Sequence, residues 1–242
     1  MKNSASFVDN GVQLMLGALE SPEIVFAVLL TAKTVVVAAV LFLLCYPPLA
    51  WLLARRKGLL VRALSFLTTL PLVFPPIALG YLLLLLFGRN GLLGSLLSDA
   101  GIAFVFTPVA VYFAAFVAGL PLVVRPLKNA LESEMLQAIE FTARVHGATP
   151  FTVFRRITMP LVRPHLAAGL LLGLTRASGE VGITMMLGGN ISDRTNTLSL
   201  EIFNAVSRAE FDAATALCLL LTIFTFVVFC LLEIIQKRAV KL

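Results

Sequence analysis

The sequence predicts an all-α membrane protein with about five transmembrane helices, an N-terminus outside and a C-terminus in the cytoplasm. Three observations predict this class: the apolar composition, five long apolar runs and an asymmetric distribution of positive charge. Of the 242 residues, 59% are hydrophobic and 13% are charged, whereas about 25% of residues are charged in soluble domains. A mean hydropathy of +0.97 therefore indicates a chain that lies mostly in lipid.

The apolar runs give the number of predicted helices. A helix needs about 20 apolar residues to cross a ~30 Å hydrocarbon core. Five runs reach about that length: Ile24–Tyr46, Ala63–Phe87, Phe104–Val124, Leu166–Leu187 and Ala213–Ile235. The run Val12–Leu19 is too short to cross, so residues 1–23 are expected to form an extracytoplasmic or interfacial segment. We expect the first predicted helix to be an uncleaved signal anchor, and residues 1–242 to form a single transmembrane domain.

Lysine and arginine give the orientation. Of the nineteen lysines and arginines, thirteen lie in residues 55–62, 125–163 and 237–241, which are on one side of the membrane. Four lie on the other side. Cytoplasmic loops carry the excess of lysine and arginine in membrane proteins. The segment 125–165 is therefore predicted to be cytoplasmic. Topology also accounts for the net charge of +6, so the charge does not indicate nucleic-acid binding.

Prolines and charges interrupt two of the predicted helices. Pro71, Pro75 and Pro76 each remove a backbone donor from the second helix, so they either bend it for packing or line a gate. Arg176 and Glu180 lie one turn apart in the fourth helix, near the membrane centre. Isolated charges there cost at least about 2.5–3.5 kcal/mol each. The two residues form either a structural ion pair or part of a pathway for an anion.

Three weaker features have simple interpretations. The stripe Gly169, Gly173 and Ala177 predicts close helix packing. Arg194, Thr195 and Thr197 follow the glycine pair Gly188–Gly189 and are predicted to lie in an outer loop that is either solvated or in contact with a docking protein. The three cysteines have no metal-site spacing and are predicted to be small buried apolar residues. No catalytic or metal site is predicted.

The cytoplasmic segment carries helix signals that a flexible linker would not need. Leu131–Ala143 has the apolar spacing of an amphipathic helix. Gly147 is placed to end that helix, and Thr149 and Pro150 are placed to begin the next. Met159–Pro160 is predicted to stop this second, short helix. The pattern fits either a rigid helix presented to a cytosolic partner or an interfacial helix on the inner leaflet.

The run Glu140–Pro160, EFTARVHGATPFTVFRRITMP, resembles the EAA loop of permease subunits of binding-protein-dependent ABC importers. Its glycine, isoleucine and proline positions are matched, as is its second alanine. Phe141 occupies the usual glutamate position, with Glu140 one residue earlier, as in the molybdate- and sulfate-type branch. The resemblance implies that this loop couples the permease to an ATPase through Glu140, Ala143, Gly147, Pro150, Phe151, Phe154, Ile157 and Pro160.

Three other segments, Leu70–Leu84, Gly173–Thr184 and Asn190–Phe203, resemble molybdate-type permeases. The resemblance implies a type I ABC-importer permease fold in the inner membrane and a permease homodimer. It also implies two ATPase subunits that hold the ATP and magnesium, and an extracytoplasmic oxyanion-binding protein. The expected function is ATP-driven import of molybdate by alternating access, with tungstate as a competitor. Import of sulfate or another oxyanion is the alternative.

The chain lacks the sequence signals of an ATPase, an intramembrane enzyme and a secondary transporter. It has no GxxxxGK[ST] phosphate loop, so ATP is expected to bind a separate subunit. This chain is expected to bind no cofactor. It has neither HExxH nor GxSxG, which disfavours an intramembrane enzyme. A secondary transporter would be favoured by paired internal repeats, and none is evident.

Overall fold

A computed structural model describes Gly17 and residues 21–240 of the chain. The predicted interfacial run Val12–Leu19 lies outside the described residues except for Gly17. All regular secondary structure in the described part is helical. The helices are α1 (Pro22–Arg55), α2 (Leu59–Val73), α3 (Pro76–Phe87), α4 (Leu92–Asp99), α5 (Pro108–Glu132), α6 (Glu134–Val145), α7 (Pro150–Val153), α8 (Met159–Ser178), α9 (Gly182–Gly188), α10 (Leu198–Ser207) and α11 (Phe211–Val240).

The described residues contain four helices that can cross the membrane, and a fifth crossing if one bent helix pair counts as a single span. Among the described residues, α1, α5, α11 and the continuous stretch Pro150–Ser178 are each long and apolar enough to cross alone. α2 and α3 are individually too short. However, α2 lies beside the C-terminal turns of α5, and Phe87 at the end of α3 packs on Phe113 near the start of α5, with ring centroids 5.2 Å apart. α2 and α3 therefore follow α5 from its C-terminal turns to its start. The pair that is long and apolar enough for a fifth crossing is α3 with α4, whose axes are bent by 45°.

Two helices extend further towards the cytoplasm than the sequence predicts. The first was expected to end at Tyr46 and the third at Val124, but α1 continues to Arg55 and α5 to Glu132. Hydropathy falls where these helices leave the lipid, yet their backbones remain helical because they pack on each other. Leu53 and Leu131 are buried in the same core cluster on the cytoplasmic side. This extension places both helix ends next to the coupling loop.

The second predicted helix, Ala63–Phe87, is broken rather than bent. The residue before a proline is pushed out of the helical region, and Phe74 has an extended backbone with φ −83° and ψ 142°. α2 therefore ends at Val73. Pro76 then begins α3 at a position where its missing N–H costs nothing. The prediction of one continuous helix was wrong here.

The fourth predicted helix, Leu166–Leu187, is also interrupted. It begins earlier, ends as α8 at Ser178, and resumes as α9 at Gly182. Irregular backbone at membrane depth must be satisfied by the protein. The Ser178 carbonyl accepts a hydrogen bond from the Ser199 hydroxyl at 2.9 Å, and the Ile183 N–H donates to Glu180 Oε1 at 2.8 Å.

The stripe of small residues on α8 has the predicted packing role within one protomer. A Cβ added to Gly169 would lie 2.8 Å from the Val123 carbonyl oxygen, and one added to Gly119 would lie 2.6 Å from the Gly173 carbonyl oxygen. Such distances leave no space for a side chain. α5 and α8 therefore touch backbone to backbone, and Phe42 and Tyr46 of α1 fill the core beside them.

The outer segment after α9 differs from the predicted solvated loop. Thr195 and Thr197 are buried, and Leu198–Ser207 forms the helix α10. The prediction failed because the hydroxyls of both residues are used inside the protein: Thr195 donates to the Gly188 carbonyl and Thr197 caps α10. Two of the three cysteines, Cys45 and Cys218, are exposed on the protomer surface, which corrects their predicted burial.

Candidate functional site

The cytoplasmic segment between α5 and α8 forms two helices and a corner, as predicted, although its boundaries differ. Ser133 separates α5 from α6 with an extended backbone, and its side chain accepts a hydrogen bond from the Leu136 N–H at 3.3 Å. The predicted helix Leu131–Ala143 therefore begins late, because a serine with free backbone donors ahead of it is a favourable N-cap. The buried side of α6 consists of Leu136 and Glu140.

The corner after α6 has the predicted glycine geometry. Gly147 has φ +84°, in the left-handed region that glycine adopts without a Cβ penalty. Thr149 then begins α7, because its hydroxyl oxygen accepts from the Thr152 N–H at 3.3 Å, and Pro150 is the first helical residue. The local predictions for Gly147, Thr149 and Pro150 are confirmed.

The predicted stop at Met159–Pro160 was wrong. Pro150–Ser178 is one continuous helical stretch, in which Phe154–Thr158 form a π-helical turn. The Met159 N–H donates to the Phe154 carbonyl, five residues back. A proline ring inside an α-helix clashes with the carbonyl four residues earlier, and a wider π turn relieves that conflict. The short loop helix is therefore joined directly to the membrane-crossing α8.

Glu140 is buried inside the loop and connects it to α1 through hydrogen bonds, which we call the loop brace. Glu140 is only 4% exposed. Arg55, at the end of α1, donates through Nη2 to both carboxylate oxygens, at 2.8 Å and 2.7 Å. The Thr158 hydroxyl donates to Oε1 at 2.6 Å. One carboxylate thus links α6, the end of α1 and the π turn, and its contacts lie within the protomer.

Aromatic contacts extend this brace. The Arg55 guanidinium lies over the Trp51 ring, 5.3 Å from its centroid, which is within range of a cation–π interaction. Trp51 in turn meets Phe154 edge to face, with centroids 5.5 Å apart. Phe154 is the first residue of the π turn. The end of α1 is therefore fastened to the loop by an ion pair and by packing.

Apolar side chains face outward from the same loop. Phe141, Val145 and Phe151 are between 67% and 69% exposed, and Met135 is 73% exposed. We call these four residues the cytoplasmic apolar patch. Large exposed apolar side chains outside the membrane region indicate an interaction surface. Phe141, at the usual glutamate position of the motif, therefore points outward, whereas Glu140 points inward.

The remaining predicted loop residues divide between these two surfaces. Ala143 and Ile157 are half-buried, whereas Gly147, Pro150 and Pro160 are exposed. Whether these residues contact an ATPase stays a prediction.

The candidate pathway residues lie at the two helix breaks, and the structure brings the breaks together. Arg176 Nη1 lies 2.5 Å from Glu180 Oε2, and the Glu180 side chain is 1% exposed. A Cβ added to Gly182 would lie 2.7 Å from Pro76 Cβ. Pro76 and the Arg176–Glu180 ion pair thus flank one contact between α3 and α9. Pro75 and Pro76 are both exposed on the protomer. A role of these residues in a pathway or gate stays a prediction.

A buried polar cluster on the outer half was missed by the sequence reasoning. Asn196 Nδ2 is hydrogen-bonded to Glu201 Oε1, and both residues are buried. The Leu198 N–H donates to the Thr31 hydroxyl oxygen of α1 at 2.9 Å. One sequence signal for this cluster was available. The polar run Thr195–Thr197 directly precedes the short apolar run of α10, and this pattern is typical of an N-cap followed by a helix. Among the described residues, no group of three or more histidine, cysteine, aspartate or glutamate side chains could hold a metal ion.

The chain belongs to the family described as binding-protein-dependent transport system inner membrane component, which it matches over residues 47–241. It is therefore a multi-pass inner-membrane permease subunit, a type of subunit that does not itself hydrolyse ATP.

Relatives of this chain include proteins with assigned transport systems. It is 40% identical over 206 residues to the molybdenum transport system permease protein ModB of Mycobacterium bovis, covering 85% of this chain and 77% of that protein. It is 34% identical to ModB of Azotobacter vinelandii, covering 84% and 89%. It is 29% identical to the sulfate transport system permease protein CysT of Salmonella typhimurium, covering 90% and 78%.

Solved structures share the fold. A bacterial alginate ABC transporter in complex with an alginate pentasaccharide-bound periplasmic protein contains a chain that aligns with a TM-score of 0.70 at 19% identity, covering 93% of this chain and 82% of that one. A chain of the MetNI methionine ABC transporter, in an inward-facing conformation, aligns with a TM-score of 0.63 at 20% identity, covering 90% and 94%. The predicted type I importer fold is confirmed.

Proposed function

We propose that this chain is the permease subunit through which molybdate crosses the inner membrane, with tungstate as a competing substrate. The observation that carries the proposal is the similarity to molybdenum transport permeases, which reaches 40% identity over 85% of the chain. The sulfate permease is less similar, at 29% identity over 90%. Molybdate and tungstate have the same charge and nearly the same size, so one protein site separates them poorly.

The cytoplasmic loop is the proposed surface for an ATPase subunit. The cytoplasmic apolar patch offers apolar contact area, and the Arg55–Glu140 ion pair and the π turn join that patch to α1 and α8. A force applied to the loop would thus act on two membrane helices rather than on a flexible linker. Closure of the ATPase subunits around ATP would stabilise one orientation of these helices over the other, which is how binding energy shifts a conformational equilibrium.

The complete transporter is proposed to contain two copies of this chain, two ATPase subunits and an extracytoplasmic oxyanion-binding protein. Membership of the binding-protein-dependent transport family supports a complex with other subunits, and the two copies of this chain are what the resemblance to ABC importer permeases implies. Native mass spectrometry of the purified complex gives the stoichiometry directly. A single permease copy in an active complex contradicts the proposed homodimer.

Deletion of the gene tests the substrate. We expect loss of molybdenum-enzyme activity at trace molybdate, restored by excess molybdate or by a plasmid copy of the gene. A plasmid copy with Gly147→Leu serves as a matched control for insertion without coupling. A sulfate-starvation phenotype with intact molybdenum uptake reassigns the chain to sulfate import, the second candidate that the 29% identical relative supports.

A further inference from the structure

A polar cavity lies at the cytoplasmic end of the membrane domain, between α2 and the last turns of α5. Its volume is about 320 Å³. Its polar lining consists of Ser65, Thr68, Thr69, Arg125, Lys128 and Asn129. We call it the inner polar cavity. The buried side chains of Leu53 and Val124 form its apolar wall.

Several hydrogen-bond donors of the inner polar cavity are free. Within the described part of the chain, the side chains of Arg125, Asn129 and Ser65 make no hydrogen bond or ion pair with other protein groups; Arg125 and Asn129 are exposed and therefore hydrated. Lys128 Nζ lies 3.5 Å from Glu132 Oε1, and both side chains are partly exposed. Such a contact is weak and occupies one of the three ammonium hydrogens. The cavity therefore offers an arginine fork, an ammonium group, an amide and a hydroxyl.

The lining also shows which ligand charge the cavity excludes. Among the residues that the structure describes, no carboxylate lines it, and its charged lining side chains are Arg125 and Lys128. The Thr68 and Thr69 hydroxyls are already used as donors, to the Leu64 and Ser65 carbonyls at 2.7 Å and 2.8 Å. A cation would meet two positive charges without a counter-charge. An anion with several oxygens would satisfy the free donors in charge-assisted hydrogen bonds.

The cavity lies along the same broken helix as the candidate gate. α2, which supplies Ser65, continues through the break at Phe74–Pro75 into α3, where Pro76 contacts Gly182 next to the Arg176–Glu180 ion pair. Arg125 and Lys128 are the only cations on α5. An anion that has passed the level of the two breaks would meet these cations before it reaches the cytoplasm.

We propose that the inner polar cavity is a tetrahedral-oxyanion site, at which the transported anion is held after it passes the helix breaks and from which it is released to the cytoplasm. This rests on the proposed function as an oxyanion permease, but it does not depend on which oxyanion is imported. The same donors could hold the phosphate of an anionic lipid, which is a second source of the same chemistry. The experiment separates the two sources.

The test uses the purified complex of the permease with its ATPase subunits, in nanodiscs of phosphatidylcholine and without the binding protein. Binding of labelled molybdate is measured for the native chain and for the variants Arg125→Gln, Lys128→Gln and Arg62→Gln. Arg62 is exposed on the same helix as Ser65 and does not line the cavity. We expect at least tenfold weaker binding for Arg125→Gln and Lys128→Gln, and a change of less than twofold for Arg62→Gln.

Size-exclusion profiles and thermal unfolding show whether each variant still assembles. If Arg125→Gln disrupts assembly, Asn129→Leu replaces it, because this change removes a donor but no charge. The same measurements in nanodiscs with phosphatidylglycerol separate the two sources of anion. Phosphatidylglycerol retained by the native chain in native mass spectrometry and lost from Arg125→Gln, without molybdate binding, overturns the proposal in favour of a lipid.

The outcomes also distinguish this proposal from the proposed function. Equal molybdate binding by the native chain and both cavity variants refutes the site but leaves molybdate import intact. If labelled sulfate binds instead, with the same losses in the variants, the site stands and the molybdate assignment falls.

Discussion

The carboxylate of Glu140 permits a quantitative test of the loop brace. Glu140→Gln keeps the size of the side chain and one acceptor oxygen for Thr158, but it places an amide donor opposite Arg55. The hydrogen bond from Arg55 to Oε2 is then lost and the one to Oε1 loses its negative charge, and hydrogen bonds to charged groups are worth about 1.5–3 kcal/mol each. Because the Arg55 side chain is 25% exposed and turns to water, we expect a net cost of about 2 kcal/mol, below the ~3–5 kcal/mol of a fully buried pair.

Hydrogen–deuterium exchange measures this cost where it occurs. A loss of about 2 kcal/mol corresponds to roughly thirtyfold faster exchange in peptides that cover residues 134–149. The matched control is Glu134→Gln in the same helix. Glu134 is exposed, lies in the first turn of α6 and makes no hydrogen bond among the described residues. Its loss removes only about 0.3–1 kcal/mol of helix-dipole stabilisation.

The two variants should also differ in function. ATP hydrolysis stimulated by the loaded binding protein should fall for Glu140→Gln and be retained for Glu134→Gln. Unchanged exchange in Glu140→Gln would refute the brace, whatever the activity of the variant.

Three further predictions concern the topology, the corner and the contact between the helix breaks. In a background without the native cysteines, cysteines placed at Ser133 and Ser192 should react with an impermeant thiol reagent from opposite sides of the membrane. Gly147→Leu should lower stimulated ATP hydrolysis, because a left-handed backbone costs a residue with a Cβ about 1–2 kcal/mol. Gly182→Ala should lower the thermal stability of the protomer by about 1–3 kcal/mol through overpacking against Pro76.

Each of these predictions has a control. Labelling of both cysteines from one side contradicts the five-crossing topology. Gly147→Asn should retain more activity than Gly147→Leu, because asparagine tolerates the left-handed region; equal activities would show that the corner does not depend on its backbone conformation. Gly179→Ala should be nearly neutral, because the nearest atom to an added Cβ is 4.0 Å away. Equal losses in Gly179→Ala and Gly182→Ala argue against a specific contact with Pro76.

Features set by neighbours in the sequence could be predicted, and features set by distant contacts could not. The glycine corner at Gly147 and the cap at Thr149 depend on residues within one turn, so their sequence signals are sufficient. The break after Ser178 has only a weak local signal, the glycine at the C-cap position Gly179, and its backbone is satisfied by Ser199 from another helix. Hydropathy averaged over about 20 residues stays high across such a break, so the sequence still predicts one continuous helix.

The partner of Glu140 shows the same limit. Arg55 is 85 residues away in the sequence, and from sequence it is one more basic residue on the cytoplasmic side. The ion pair between Arg55 and Glu140 could be predicted only if α1 were known to extend beyond the lipid as far as Arg55. Pro160 was misinterpreted because a proline ends most helices, whereas here the π turn accommodates it.

The length of α1 couples movements of the cytoplasmic loop to movements of α10 on the outer side of the membrane. Thr31 holds the start of α10 on the outer half, and Arg55 holds the loop on the cytoplasmic side. At ~1.5 Å per residue, these anchor points are about 36 Å apart on one helix. A helix changes its length far less readily than it tilts. α1 therefore acts as a strut with one weak point at Pro47 and Pro48, where the helix lacks backbone hydrogen bonds. A displacement of the loop must tilt the strut and shift α10 at the same moment, bend the strut at these prolines, or break one of the two anchors.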